Sequence, residues 1–146
     1  MAKQLYYEDV DEGGDIPPLV KHPTPRQLVM WAGASGDYHE IHYNKEFALS
    51  RGLPDIIVHG QLACCFLGQL ITDWIGEEGV LKKLSCSYRG MNFPGEDLIC
   101  QGKVTGKYVE DGGHYIECNI WVGNPQGEKT VLGTAVVMVP ARGQGQ

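Results

Sequence analysis

The segment at residues 60–76, GQLACCFLGQLITDWIG, is the longest predominantly apolar stretch and limits most what this chain can fold into. Leu62, Phe66 and Leu70 recur at helical spacing on one side, and Ala63 and Leu67 extend the apolar surface around the helix. A helix that is apolar on nearly every side has to be buried on most of them. At about 15 residues it would extend roughly 23 Å, which is too short to cross a bilayer. The sequence therefore predicts a central helix that other elements wrap.

The second half of the chain supplies the wrapping, because its apolar residues alternate with polar ones, as in strands with one buried face. The alternating apolar positions are Leu84, Cys86, Tyr88, Leu98, Cys100, Val104, Ile116, Cys118, Ile120 and Val122, followed by residues 131–139. Turn residues at 93–95, 110–113 and 124–127 predict short connections between consecutive strands. The prediction is an α+β hotdog fold, in which a curled antiparallel β-sheet wraps around a central buried α-helix.

Shorter elements are expected before the central helix. Residues 1–19 are interpreted as a short strand followed by a polar loop. Thr24 can cap a helix over residues 25 to about 35, with a proline at its first position. Asn44 can cap a second helix over residues 45–51. The chain thus enters the central helix through two short helices and a polar connection.

We expect one domain over residues 1–146, a usual length for a single globular unit, with a disordered tail at about residues 141–146. The net charge of −6 and the pI near 5.3 argue against a nucleic-acid-binding protein, which would carry a basic surface. No run of about 18 apolar residues is present, so no membrane span is expected. The five cysteines form neither a CxxC pair nor a cluster with zinc spacing. We therefore expect reduced thiols, no metal site and a cytoplasmic protein.

Side chains that could carry chemistry concentrate in two places near the central helix. The sequence SGDYHEIH at residues 35–42 is a polar loop between the first two helices. His59 and Gly60 come at the start of the buried helix, where free backbone N–H groups and the helix dipole can stabilise an oxyanion. A carboxylate, an imidazole and an oxyanion site together indicate acid–base chemistry that requires neither a metal nor a cofactor.

The loop and the helix start resemble the MaoC-like, R-specific enoyl-CoA hydratase family of hotdog proteins. That family has approximately the pattern SGDxNP(I/L)H and, after a short helix, HG(M)L; this chain has SGDYHEIH and, at residues 59–62, HGQL. The resemblance extends more weakly over most of residues 25–105. It implies that Asp37 and His42 are the catalytic residues and that the backbone N–H of Gly60 binds the thioester carbonyl.

The reaction implied by the resemblance is the addition of water to an enoyl thioester, or the reverse dehydration of a 3-hydroxyacyl thioester. A water molecule held between Asp37 and His42 would attack the β-carbon, while the N–H of Gly60 would stabilise the developing enolate. The substrate would be an acyl-CoA or an acyl-ACP, and the sequence leaves the carrier, the acyl chain and the direction of proton transfer open.

The polar loop departs from the family pattern at one place and the helix start at another. His39 and Glu40 stand where the family has asparagine and proline, and Gln61 stands where it has methionine. We consider His39, His59 and Gln61 as possible substrate-binding residues. For His59, a structural role that positions the loop through the ring nitrogens is the expected one.

Three functions remain open at this point. The first is an active hydratase or dehydratase, and the second is an acyl-CoA thioesterase of the same fold. Such thioesterases use a carboxylate on or near the central helix, and the helix here offers none before Asp73. The third is a subunit of a heteromeric hotdog hydratase, either a catalytic subunit that is inactive alone or a binding or scaffold subunit without chemistry. A homodimer is the default expectation, because a curled single sheet leaves a strand edge exposed, and a heterodimer with a related hotdog chain is the alternative.

Overall fold

The computed structural model describes residues 3–143 of the chain. It contains one five-stranded antiparallel sheet in the order β1-β3-β4-β5-β2. The strands are β1 (Asp15–Lys21), β2 (Val80–Tyr88), β3 (Leu98–Glu110), β4 (Gly113–Gly123) and β5 (Lys129–Val139). The α-helices are α1 (Pro25–Ser35), α2 (Lys45–Ser50) and α3 (Gly60–Ile75), and two 3₁₀ turns lie at Tyr7–Asp9 and Glu40–His42. This architecture confirms the predicted α+β hotdog fold.

Helix α3 lies inside the curl of the sheet and forms the centre of the core. Leu67 and Ile71 are fully buried, and they share one core with the inward-facing residues of the strands. On β4, Ile116, Cys118 and Ile120 are buried while Glu117 and Asn119 between them are exposed, as the alternation predicted. Burying one such side chain stabilises the fold by about 1.5–3 kcal/mol, and Leu67→Ala would cost about 2–5 kcal/mol because it also leaves a cavity.

Edge strand β2 packs its inward side chains directly onto small residues of α3, and we call this the β2–α3 contact. The facing pairs are Tyr88 with Gly60, Cys86 with Cys64, and Leu84 with Gly68. A Cβ atom at Gly60 would lie 3.0 Å from the Tyr88 ring, so the missing side chain is what lets the ring cover this position. The close approach holds the start of α3 against the sheet edge.

The first helices are capped as the sequence predicts. The Oγ1 of Thr24 accepts a hydrogen bond from the N–H of Gln27 at 3.2 Å, and the Oδ1 of Asn44 accepts one from the N–H of Phe47 at 3.2 Å. Gly36 ends α1 in the left-handed region with φ of 78°, which glycine adopts at little cost. The chain therefore turns sharply out of α1 one residue before Asp37.

The order of elements predicted for the N-terminal residues is wrong. The polar segment comes first and the strand β1 follows it, with Pro17 and Pro18 inside the strand. Proline cannot donate to a strand ladder, which hides the strand in the sequence and restricts it to the sheet edge. The pairing with β3 shifts register between Ile16 and Leu19, where the prolines lie.

The predicted disordered tail is too long at its start. Ala141 is buried, and the guanidinium of Arg142 lies 2.6 Å from the Oδ1 of Asp9, so the ordered chain continues to these residues. Residues 144–146 of that predicted tail lie outside the described residues. Among residues 3–143, no helix is long and apolar enough to span a membrane.

Candidate active site

The polar loop after α1 holds the Asp37 carboxylate through a short series of local hydrogen bonds. The Oγ of Ser35 accepts a hydrogen bond from the N–H of Asp37 at 3.1 Å. The Oδ1 of Asp37 in turn accepts one from the N–H of His39 at 3.3 Å. With Oδ1 engaged by the loop, Oδ2 is the oxygen that faces His42, and 40% of the side chain is exposed to solvent. Asp37 is thus both fixed and accessible.

His42 is buried, and its hydrogen bond identifies the tautomer of its neutral ring. The residue is 7% exposed and ends the 3₁₀ turn Glu40–His42. Its Nδ1 lies 2.8 Å from the carbonyl oxygen of Ile57. A carbonyl oxygen only accepts hydrogen bonds, so Nδ1 carries the proton and the Nε2 of the neutral ring is a free acceptor. That Nε2 lies 3.8 Å from the Oδ2 of Asp37.

His59 contacts both His42 and the backbone of Asp37. It is 1% exposed, and its ring stacks on that of His42 with centroids 3.7 Å apart and an interplanar angle of 18°. Its Nε2 lies 3.3 Å from the backbone carbonyl oxygen of Asp37. Burial lowers the pKa of His59 below its ordinary value of 6.5, and the neighbouring His42 lowers this pKa further. The surroundings of His59 therefore favour the neutral form of its ring.

The N-terminal end of α3 adds unpaired backbone donors to this cluster. The first hydrogen bond of the helix runs from the N–H of Ala63 to the carbonyl of His59 at 3.1 Å. The N–H groups of Gly60, Gln61 and Leu62 have no acceptor among residues 3–143, and His59 provides no side-chain cap. These groups are available to a ligand oxygen, since they form the positive end of the helix dipole.

The three side chains of the cluster do not fit a metal ion. One ligand atom each from Asp37, His42 and His59 lies within 4.8 Å of the others. Imidazole binds a metal through an in-plane nitrogen lone pair at about 2.0–2.1 Å, and rings stacked at 18° direct their lone pairs along nearly parallel planes. The two lone pairs therefore do not converge on one position. The expectation of a metal-free site stays a prediction.

The structure brings together four of the residues singled out in the sequence. Asp37, His42 and His59 are in direct contact, and Gly60 follows His59 in the chain. The His59 side chain is 1% exposed, and its possible substrate-binding role stays a prediction.

The other two residues considered for substrate binding lie at the margin of the cluster. Both His39 and Gln61 are exposed, and the His39 ring centroid is 6.2 Å from that of His42. Tyr88, whose ring covers Gly60, was not recognised as a site neighbour. The strand alternation that ends at Tyr88 is the signal that could have placed it on the helix side of the sheet.

Comparison with known proteins gives the same assignment of the fold and adds the family. The profile of the MaoC like domain matches residues 16–120. The (R)-specific enoyl-CoA hydratase of Rhodospirillum rubrum is 27% identical over 139 residues, which cover 94% of each chain. The 3-oxo-4,17-pregnadiene-20-carboxyl-CoA hydratase beta subunit of Mycobacterium tuberculosis is 26% identical over 105 residues, which cover 66% of this chain and 81% of that protein.

Solved structures of similar proteins share the fold at low sequence identity. An R-hydratase from Pseudomonas aeruginosa has a TM-score of 0.86 at 21% identity and covers 95% of this chain and 88% of its own. The (R)-hydratase of A. caviae has a TM-score of 0.82 at 22% identity, with coverage of 91% and 99%. Since the family profile spans most of the chain and includes both the polar loop and the start of α3, the chain belongs to the MaoC-like domain family.

Proposed function

We propose that this protein is an enoyl-thioester hydratase, which also catalyses the reverse dehydration of a 3-hydroxyacyl thioester. The observation that supports this most strongly is the meeting of three groups at one place. These groups are the Asp37 carboxylate, the free Nε2 of His42 and the open N-terminal end of α3 at Gly60. The similar proteins named as hydratases agree with this chemistry.

The distance between Asp37 and His42 suits a bridging water molecule. At 3.8 Å, Oδ2 and Nε2 are too far apart for a direct hydrogen bond, but each can accept a hydrogen bond from one water molecule lying between them. Both groups are acceptors, so both O–H bonds of that water point into the protein. Its lone pairs then face outward, toward the β-carbon of a bound enoyl group.

Gly60 supplies the complementary electrophilic contact. In this proposal its free N–H donates to the thioester carbonyl and stabilises the enolate that forms as the water oxygen adds to the β-carbon. One of the two acceptors takes a proton from the water, and a proton is then delivered to the α-carbon. The product is a 3-hydroxyacyl thioester, and the reaction needs no electron transfer.

We propose coenzyme A as the carrier, because both similar hydratases carry CoA in their names, and the R isomer as the product, because the Rhodospirillum rubrum hydratase is named as (R)-specific. The experiment is a panel of trans-2-enoyl-CoAs, from short chains to bulky ring-bearing acyl groups, followed by loss of the enoyl absorbance and chiral analysis of the product. Matching enoyl-ACPs test the alternative carrier. Absence of hydration across both series contradicts the proposal.

A thioesterase activity is the function that the same panel has to separate. Helix α3 places no carboxylate near Gly60, and Asp73 lies exposed near the opposite end. Release of free thiol from saturated acyl-CoAs, measured in parallel, reports thioester hydrolysis. Thiol release without loss of enoyl absorbance would favour the thioesterase.

We further propose a homodimer in which the two sheets join through the edge strand β2. The other edge, β1, contains Pro17 and Pro18 and a register shift, which block continuous pairing. Two cavities of about 620 and 440 Å³ on the described part of the chain are lined by residues other than Asp37, His42 and Gly60. A partner subunit would then supply the remaining walls of the acyl site.

The alternative assembly is a heterodimer with a related hotdog chain. A similar structure, with a TM-score of 0.78 at 23% identity, is the ChsH1–ChsH2 complex of Mycobacterium tuberculosis. Light scattering of the purified chain tests the homodimer. A monomer that gains hydratase activity only with a second hotdog chain supports the heterodimer and contradicts the homodimer.

A further inference from the structure

We infer that His59 is a positioning residue for the proposed reaction, which holds the loop carboxylate, the His42 imidazole and the start of α3 at one site. The inference rests on the proposed function. The inference assigns His59 no contact with the substrate, because its side chain is only 1% exposed. Each of the three parts of the site is attached to this one residue, and each attachment is of a different kind.

The first attachment is the stack on His42. The two rings are nearly parallel, with centroids 3.7 Å apart. The Nδ1–H at the edge of the His42 ring donates to the carbonyl of Ile57. The stack and this hydrogen bond together restrict rotation of the His42 ring about both of its side-chain torsions. The free Nε2 therefore keeps its direction toward Asp37.

The second attachment is to the polar loop. The Nε2 of His59 lies 3.3 Å from the Asp37 carbonyl, which only accepts, so Nε2 carries the proton of the neutral ring. This bond connects residues that are 22 positions apart in the chain and fixes the loop at the residue whose carboxylate is used. The third attachment is covalent, since His59 is the N-cap residue of α3 and precedes Gly60.

The stack also limits the charge that the site can hold. The titratable groups that face His59 are His42 from the 3₁₀ turn and Asp37 from the polar loop. Two imidazolium rings at 3.7 Å would repel each other strongly in a buried place, so at most one of the pair is protonated. Burial and the neighbouring His42 both lower the pKa of His59, so protonation of the His59 ring is the less favourable of its two states.

The kinetic test uses two variants that each keep one property of His59. His59→Phe keeps a flat ring for the stack and loses the donor, whereas His59→Gln keeps a donor and loses the ring. A misplacement of about 1 Å costs on the order of 100-fold in rate, so we expect each variant to lose about 10- to 100-fold in kcat. We expect KM to change by less than about threefold, because His59 does not touch the substrate.

The outcomes separate the inference from the function on which it rests. If the wild-type protein is active and both variants have the wild-type kcat, the positioning role is contradicted and the proposed hydratase function stands. A large rise in KM at unchanged kcat also contradicts it, since that result reports a substrate contact. A wild-type protein inactive on every enoyl thioester contradicts the hydratase and this inference with it.

A second measurement tests the inference even if the variants fold poorly. Imidazole ¹⁵N chemical shifts of the wild-type protein report the protonation and the tautomer of each ring. We expect the neutral ring of His59 to carry its proton on Nε2 and that of His42 to carry its proton on Nδ1, with the pKa of His59 below its ordinary value of 6.5. A His59 imidazolium at neutral pH, or its Nδ1–H tautomer, would overturn the inference.

Discussion

Helix α3 ends at Ile75 against the N-terminal segment of the chain. At its start, by contrast, no group among residues 3–143 accepts a hydrogen bond from the N–H of Gly60. At the C-terminal end, the Nε2 of Gln4 donates to the carbonyl of Ile75 at 2.8 Å, and its Oε1 accepts from the N–H of Glu78 at 2.9 Å. Gly76 leaves the space that the Gln4 side chain fills, since a Cβ there would lie 2.8 Å from its Oε1.

The difference between the two ends separates stability from function in a single helix. Both ends of any helix expose unpaired backbone groups, and a protein normally satisfies them. Here one side chain from a distant part of the chain pairs with the last carbonyl of the C-terminal end. Within the described part of the chain, the donors of the N-terminal end stay free beside Asp37 and His42, which is the arrangement that a substrate oxygen requires. The open end is therefore the place where a ligand completes the structure.

The largest expected effect is at the open end, from the substitution His42→Ala. Loss of the Nε2 that holds the water molecule is expected to lower kcat about 100- to 10,000-fold. The matched control is His22→Ala, because His22 is exposed and its Nδ1 bonds to Asp97 at the surface. Steady-state hydration of an enoyl-CoA gives both rates, and circular dichroism checks the fold. Equal rates for the two variants would remove His42 from the mechanism.

The backbone donor of Gly60 can be tested by Gly60→Pro, which removes the N–H. Proline is favoured at the first position of a helix, and the preceding His59, with φ of −57° and ψ of 132°, already has a conformation that proline allows. We expect a loss of about 100- to 1,000-fold in kcat. Gly60→Ala is the control, since it places the same Cβ against Tyr88 and keeps the N–H. A proline variant as active as the alanine variant would exclude this donor.

The closed end is expected to respond in stability and not in activity. Gln4→Met keeps the length of the side chain but leaves the carbonyl of Ile75 and the N–H of Glu78 without their partner. We expect the free energy of unfolding to fall by about 1–3 kcal/mol in urea titrations, with kcat unchanged. Gln126→Met, at an exposed turn, should stay within about 0.5 kcal/mol of the wild type. A loss of activity in Gln4→Met would show that the two ends are coupled.

The smallest effect is the pH dependence that His59 adds to stability. Its pKa in the folded protein lies below the ordinary 6.5, so the unfolded chain binds the proton more readily. The contribution is complete above about pH 6.5 and is lost as the pH falls toward the lowered pKa. The unfolding free energy of the wild type minus that of His59→Phe should therefore decrease as the pH falls from about 7.5 to 5. A difference that stays constant or grows would contradict a lowered pKa.

The sheet and the central helix could be predicted because periodicity is a local property of the sequence. The alternation in β4 indicates a strand with one buried face, and the nearly all-round apolar surface of α3 indicates a helix buried on most sides. Strand β1 was misplaced because Pro17 and Pro18 conceal its pattern, and only the pairing with β3 shows where it lies.

The candidate site could be predicted in part. The motif placed Asp37, His42 and Gly60 together through the family resemblance, but spacing in the sequence contains no information on ring orientation. The stack of His59 on His42 depends on how the loop and the helix start pack in three dimensions. The same holds for Tyr88, which reaches Gly60 only because β2 crosses α3 at that residue.

The most direct test of the central claim is the rate of enoyl-CoA hydration by Asp37→Asn compared with Asp73→Asn. Both changes replace one carboxylate by an amide of the same shape, one at the open end of α3 and one near the closed end, where Asp73 is exposed. We expect Asp37→Asn to lose at least about 100-fold in kcat and Asp73→Asn to match the wild type. Near-normal hydration by Asp37→Asn would contradict the account.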